Sequence, residues 1–294
     1  MKRVLITGSN SYIGNKLTEW LENFPGEYSI DSISLRNDSW KDKDFAEYDV
    51  IVHMAGIAHI KETKENADLY YKVNCDLTYE VAHKAKLEGV NQFIFLSSMS
   101  VYGMDFGVIN ENSELNPKTN YGKSKLKAER LILPLADNSF KIAILRPPMI
   151  YGEGCRGNYP KLASLSLKTP FFPDIVNKRS MIFINNLTEF IRRIIEIDAS
   201  GVFFPQNKEY VGTTELVKLI ASVHGKKIRI IRGFKWITLI GFKFSSNFRK
   251  VFGTLIYDKE LLGGPGTLVD GQELNFDEIT FEESIKYSEG RGEL

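Results

Sequence analysis

Apolar residues along this chain fall into two kinds of pattern, and the two alternate. Short unbroken apolar runs mark strands buried on both faces. Apolar residues three and four apart mark helices with one buried side. Val4, Leu5 and Ile6 make the first run, which ends in Thr7 and the turn from Gly8 to Gly14. Ile13, Leu17, Trp20, Leu21 and Phe24 then keep helical spacing, so a helix is expected there. Residues 28–35 predict a second strand, 49–55 a third, and 65–88 one long helix. Phe93, Ile94, Phe95 and Leu96 form a further apolar run that opens into the hydroxyls of Ser97 and Ser98. A helix over 121–135 and a strand over 141–145 follow. Strands and helices in this repeated order predict an α/β fold, a doubly wound parallel sheet with helices on both faces.

The pattern changes after residue 151. A glycine-rich loop at 154–157 leads into a helical run at 159–168. A helix at 187–197 and a strand at 201–204 read as a return of the chain to the first unit. Thr213 and Thr214 carry a capping signal for a helix over 214–224. Residues 233–252 mix aromatic and basic side chains, among them Phe234, Trp236, Lys243, Phe248 and Lys250. A membrane-surface helix is one reading of that stretch. Polar and apolar positions do not separate cleanly in it, which favours packing on the second unit. Residues 263–271 read as a loop and 281–285 as a final surface helix. The expected organisation is a first domain over 1–151, rejoined by 185–205, and a smaller mixed region over 152–294 that covers the site.

Composition narrows the function classes. The 294 residues are 43% hydrophobic, enough for a sizeable core. Thirty-eight basic residues stand against thirty-seven acidic ones, so there is no electrostatic footprint for nucleic acid. No apolar run is long enough to span a bilayer, and the chain enters a strand pattern with no signal peptide before it. Cys75 and Cys155 are too few for a disulfide framework or a cysteine zinc site, and no convergent ligand set points to a metal. The expected setting is cytoplasmic.

Two stretches carry candidate chemistry. Tyr121 and Lys125 stand one helical turn apart on the same face, behind the strand that ends at Ser97 and Ser98. A serine, a tyrosine and a lysine brought together can take a proton from an alcohol. Tyrosine is a poor base at its free pKa of about 10, and a nearby ammonium or cationic ring would lower that value. The second stretch is the turn from Gly8 to Gly14. Strand, glycine turn and helix is the context in which backbone N–H groups and the helix dipole hold a dinucleotide pyrophosphate.

The blocks Ser97-Ser98-Met99-Ser100-Val101-Tyr102-Gly103 and Tyr121-Gly122-Lys123-Ser124-Lys125 resemble the active-site pair of the extended short-chain dehydrogenase/reductases, within the NAD-dependent epimerase/dehydratase family. The likeness is strongest to the UDP-galactose 4-epimerase group and covers roughly residues 1–205. It implies a Rossmann-like fold with Ser98, Tyr121 and Lys125 as catalytic residues. It also implies cofactor contacts at Gly8, Ser11, Tyr12, Ile13, Gly14, Ala55, Gly56, Asn74, Ser97, Tyr121, Lys125 and Pro147. Ser11 replaces the middle glycine of the family turn and is small enough to donate to a phosphate. Arg36 stands where NAD-binding members carry an acid for the ribose hydroxyls; an arginine there can pair with a 2′-phosphate. Asp38 close by keeps NAD open, so the cofactor is NAD or NADP. Ser98, Tyr121, Asn158, Phe171 and Arg179 match substrate positions, the last suited to grip a diphosphate. Met149 replaces an asparagine that many relatives use on substrate phosphate.

The implied reaction is epimerisation of a nucleotide-linked hexose, such as a UDP-hexose, through a 4-keto sugar. An NADPH-dependent nucleotide-4-keto-sugar reductase would use the same residues, and Arg36 and Met149 favour it somewhat. A non-catalytic, cofactor-sensing relative would usually have lost the tyrosine or the lysine, and both stand here. The long helix and the 121–135 helix form a homodimer bundle in the family, so a homodimer is expected.

Overall fold

The computed structural model describes residues 1–58, 60–233, 248–249, 252–261, 267–269, 272–274 and 276–292. Its centre is a parallel sheet of six strands. They are β1 (Lys2–Thr7), β2 (Tyr28–Ile33), β3 (Val50–His53), β4 (Gln92–Leu96), β6 (Lys141–Leu145) and β10 (Gly201–Phe203). The short strand β5 (Gly107–Ile109) lies outside that sheet. The spatial order is β10-β6-β4-β3-β1-β2. The strand order reverses at β1 and β3, so the loops after these strands and after β4 open onto one edge, where such folds bind ligands.

Both faces of the sheet are covered, which explains why its strands read as unbroken apolar runs. Helices α1 (Tyr12–Leu21) and α6 (Ile184–Glu196) pack on one face around Ile6, Leu17, Val52, Phe190 and Ile194. Trp20 Nε1 donates to Glu189 Oε2 at 2.9 Å across that pair. Helices α3 (Leu77–Leu87) and α4 (Asn120–Ile132) cover the other face around Phe93, Phe95, Ala128 and Ile132.

The expected single helix over 65–88 is interrupted. Helix α2 (Ala67–Tyr71) runs into a π-helical turn over Lys72–Asp76 before α3 begins. The cause is Asn74, fully buried in the turn, whose amide hydrogen-bonds outside its own helix. Single π turns often mark functional positions.

The remaining elements form a smaller layer beyond the strand ends. Strand β7 (Met149–Tyr151) pairs with β9 (Met181–Phe183), and β8 (Phe171–Pro173) with β11 (Arg229–Ile231), both in parallel. Helices α5 (Asn158–Lys168), α7 (Thr213–Val223) and α8 (Phe281–Ser288) close this layer around Tyr151, Tyr159, Phe183 and Val217. Strand β12 (Leu255–Tyr257) pairs with β5 beside Val101 and Tyr102. Two local expectations change. The stretch read as a loop at 263–271 contributes to an antiparallel pair, β13 (Thr267–Val269) with β14 (Gln272–Leu274); three residues per strand leave too little alternation to read. Helix α8 lies at the surface with Glu282, Glu283 and Lys286 exposed, and is anchored by its other face, where Phe281, Ser284 and Ile285 are buried and Ser284 Oγ lies 2.6 Å from the Tyr151 hydroxyl. Helix α7 starts one residue earlier than its threonines suggested, because Thr213 and Thr214 bond to Asn177 and Ile175 across the layer. Most of the aromatic and basic stretch at 233–252 lies outside the described residues.

Candidate active site

The first wall of the site is the turn after β1. Gly8 has φ +91°, and a Cβ there would sit 3.1 Å from Ala55 N, so only glycine lets this turn lie against the end of β3. A Cβ on Gly14 would meet Ser11 Oγ at 2.6 Å and Gly8 O at 3.2 Å. Ser11 is the N-cap of α1 and accepts the Gly14 N–H at 3.0 Å. Its oxygen therefore finishes the helix, and only its proton is left to donate outward. The N–H groups of Tyr12 and Ile13 have no acceptor among the described residues. Glycine where side chains would clash, with free amides at a helix start, fits a dinucleotide pyrophosphate.

The floor is made by the ends of β3 and β4. Asn74 accepts from Ile57 N at 2.8 Å and donates to Ile57 O at 3.0 Å, which fixes the loop that follows β3. The same amide reaches Ser124 Oγ on α4 at 3.2 Å, so one side chain ties that loop to the helix of Tyr121 and Lys125. Gly56 fits between them: a Cβ there would come within 3.0 Å of Asn74 Oδ1 and 3.4 Å of Lys125 Nζ. His53 is a packed histidine. Its Nδ1 lies 2.9 Å from Thr7 Oγ1 and its Nε2 3.0 Å from Thr78 Oγ1. The Thr78 proton is donated to Asn74 O, so Nε2–H donates to Thr78 and Thr7 donates to Nδ1. Burial, and then Lys125, push the imidazole down to about 3, which keeps it neutral.

Helix α4 carries the reactive pair and is held at its N-terminal end. Thr119 caps it by accepting the Gly122 N–H at 3.1 Å, and Glu62 accepts the N–H groups of Asn120 and Tyr121, each at 3.1 Å. Gly122 packs onto the 3₁₀ turn Met99–Tyr102, where any Cβ would lie 2.6 Å from Ser100 O. That close approach sets Tyr121 beside Ser98, near enough for the serine hydroxyl to favour the phenolate. Ser98 Oγ also donates to Ser100 Oγ at 3.1 Å. Lys125 is buried, donates to Leu96 O at 2.8 Å and lies 4.6 Å from the centre of the Phe95 ring. Burial lowers its ammonium to about 8, against the pull of Glu129. Tyr121 is raised above its usual value by burial, and the nearby Ser98 hydroxyl offsets part of that. Lys125 makes no resolved contribution to that shift, so in the chain alone burial decides the phenol's acidity.

Ser97 points the other way. It is buried, and its hydroxyl donates to Glu129. Glu129 in turn holds Arg146 in a two-pronged pair, and Arg146 Nη1 reaches the Tyr102 hydroxyl at 2.9 Å. Only the backbone of Ser97 is left to face a cofactor. Pro147 accepts the Met99 N–H at 2.9 Å and so joins the ends of β4 and β6. Sequence reasoning missed Glu129 and Glu62. Glu129 stood in view one turn past Lys125, but its buried partner lies in a distant strand.

The remaining candidates are spread along the outer layer. Arg36 is exposed after β2. Asn158 is exposed at the start of α5, and Phe171 is 48% exposed on β8. Arg179 is half-buried and donates through Nη1 to Gly253 O at 2.9 Å. Burial destabilises its charge, with Asp105 opposing, so an anion in reach would be welcome. Among the described residues no group of histidine, cysteine or acidic side chains could hold a metal ion.

The model of the family described as NAD dependent epimerase/dehydratase matches residues 4–202, the span that holds the glycine turn, Ser98, Tyr121 and Lys125. The chain belongs to that family. This epimerase/dehydratase family member is an NAD(P)-dependent enzyme. It is 32% identical to the UDP-glucose 4-epimerase of Vibrio cholerae over 75% of each chain. It is 28% identical to the N-acetyl-alpha-D-glucosaminyl-diphospho-ditrans,octacis-undecaprenol 4-epimerase of Escherichia coli O157:H7, over 76% of this chain and 73% of the relative. The solved UDP-glucuronic acid 4-epimerase of Bacillus cereus, in complex with NAD, shares the fold, with a TM-score of 0.71, 18% identity and 98% of each chain covered.

Proposed function

We propose that the chain is a 4-epimerase of a diphosphate-linked hexose, a UDP-hexose in the first instance, acting through a 4-keto sugar. The placement of Ser98 beside Tyr121 carries this reading, because it brings two hydroxyls together behind the end of β4. Ser98 would hold the sugar 4-oxygen, and Tyr121 would take its proton and later return it. Lys125, fixed on Leu96 O, would hold the ribose side of the dinucleotide and keep positive charge near Tyr121. Gly8, Ser11, Tyr12, Ile13, Gly14, Ala55, Gly56 and Asn74 would shape the dinucleotide site, with Pro147 behind it. When bound, NAD or NADP supplies the acceptor and donor of hydride. Arg179 would grip the diphosphate, with Asn158 near it, while Phe171 stands on the outer face of β8.

Carrier and direction are set by different residues. A polyprenyl diphosphate, as in the name of the E. coli relative, would present the same anion to Arg179 but no nucleoside. The second reading, a 4-keto-sugar reductase, is favoured by Arg36, exposed with no acid at the tip of β2. Exposed Tyr79, Leu87, Leu131 and Leu133 on and after α3 and α4 favour a homodimer through those helices. The two buried free cysteines suit a cytoplasmic setting.

The test is turnover of UDP-glucose, UDP-galactose, their N-acetyl forms and a polyprenyl-diphosphate N-acetylhexosamine without added reductant. Appearance of the 4-epimer supports the proposal and names the carrier. Consumption only of 4-keto sugars, with NADPH, replaces it by the reductase.

A further inference from the structure

We infer that the outer face of the β8–β11 ribbon is a docking surface for an anionic lipid bilayer. The ribbon has one buried and one open face. Phe172 and Ile230 turn inward, and Phe172 packs on Phe252. Their neighbours turn outward in register, Arg229 beside Phe171 and Ile231 beside Pro173. Phe171 is 48% exposed, Ile231 37%, and Val176 just beyond β8 is 95% exposed. Aromatic and branched apolar side chains are thus gathered on one edge of the molecule with no protein cover among the described residues. Lys227, Arg229 and Arg232 surround them, all exposed. Asp174 is the acid beside this cluster, 3.7 Å from Arg232.

The charge of the sequence selects the occupant. Residues 216–257 carry nine lysines and arginines and no aspartate or glutamate, in a chain whose net charge is only +1. Lys227, Arg229 and Arg232 around exposed aromatic and aliphatic groups are complementary to a surface that is negative at its headgroups and apolar beneath. A nucleic acid would use the charge but leave Val176 and Ile231 in water. A second copy of the chain would bring the same positive charge against itself. No helix among the described residues is long and apolar enough to cross a membrane, so the contact is peripheral. This inference goes beyond the sugar chemistry and is measured without it.

The experiment is co-sedimentation of the full chain with vesicles of phosphatidylcholine alone and of equimolar phosphatidylcholine and phosphatidylglycerol. The chain is expected to pellet with the anionic vesicles at low salt and to be released as salt rises. Arg229→Gln with Arg232→Gln should lower the partition by roughly thirtyfold. Val176→Glu with Ile231→Glu should abolish it, while turnover of soluble substrate stays as in the unmodified chain. Failure to pellet with anionic vesicles overturns the inference, as does pelleting that neither pair of substitutions changes. A fall in oligomer mass in the Val176→Glu, Ile231→Glu protein, with no vesicle binding by the parent, overturns it in favour of self-association.

Discussion

Arg146 Nη2 lies 2.6 Å from Glu129 Oε2 and its Nε 3.1 Å from Oε1, in a pair less than a tenth exposed on either side. It joins the last strand of the sheet core to the helix of Tyr121 and Lys125, one turn beyond the lysine. Ser97 and Tyr102 complete its hydrogen bonds. Glu129→Gln should cost roughly 3–5 kcal/mol of stability, since it strands a buried guanidinium. It should also lower the ammonium of Lys125 further, because Glu129 is the group that raises it. Denaturant unfolding checks the first outcome. An alkaline limb of activity that moves to lower pH checks the second, and an unmoved limb would confine Glu129 to structure.

Tyr121→Phe removes the hydroxyl beside Ser98 and leaves the helix caps at Thr119 and Glu62 in place. Turnover should fall about a hundredfold to ten-thousandfold, the range for a general acid/base. Dinucleotide affinity should stay within a few-fold, as followed by fluorescence titration. Turnover near that of the parent would remove Tyr121 from the proton path.

The alternation of buried strands and helices was legible because it rests on local pattern, while Ser98, Tyr121 and Lys125 were singled out by the family resemblance rather than by their spacing. Apolar runs give buried strands, and a four-residue spacing gives one helix face. What stayed hidden depends on partners far away in the chain. The π turn at Asn74 answers to Ile57 and Ser124, which no spacing rule connects to it. Ser97 and Ser98 are adjacent hydroxyls with the same local signal, yet one turns to Glu129 and the other to Tyr121. Strand alternation puts them on opposite sides, and only the position of α4 decides which side is the site.

Arg36 tests the cofactor. It is exposed at the tip of β2, while nearby Asp38 is drawn to Lys41 at 3.0 Å. If Arg36 reads a 2′-phosphate, Arg36→Ala should weaken NADP by about 1.5–3 kcal/mol and leave NAD nearly unchanged. Equal losses for both dinucleotides in calorimetry would rule that role out.

The sugar should keep its 6-hydroxyl. Eliminating water next to a 4-keto group needs an acid for the leaving hydroxyl and a base for the neighbouring proton. The positions after Ser98 hold Met99, packed beside Val101, and Ser100, bonded to Ser98. Glu111 and Glu114 are exposed. Mass spectrometry of the products should show no species lighter by one water at a rate near turnover.

Lys125 gives the chain a pH signature in stability. Its folded-state value is lowered to about 8 from 10.5, with burial as the main cause. Between those values the unfolded chain binds a proton that the folded chain has released, so stability rises with pH across that window. Below about 8 both states are charged and the full cost of burying the ammonium is present. From pH 7.5 to 9.5 the gain from this group should be about 2 kcal/mol, before the tyrosines begin to titrate. Buried Cys75, raised to about 11, and buried Cys155, also raised, act in the opposite sense from about pH 8.5, and tyrosines raised by burial join them above about pH 10. Urea unfolding at the two pH values should therefore show a pH response more favourable by that gain in the parent chain than in Lys125→Met, which keeps the stem without the charge. An equal pH response in both proteins would mean that Lys125 holds its ordinary affinity for protons, and that the ammonium beside Tyr121 is present throughout the physiological range.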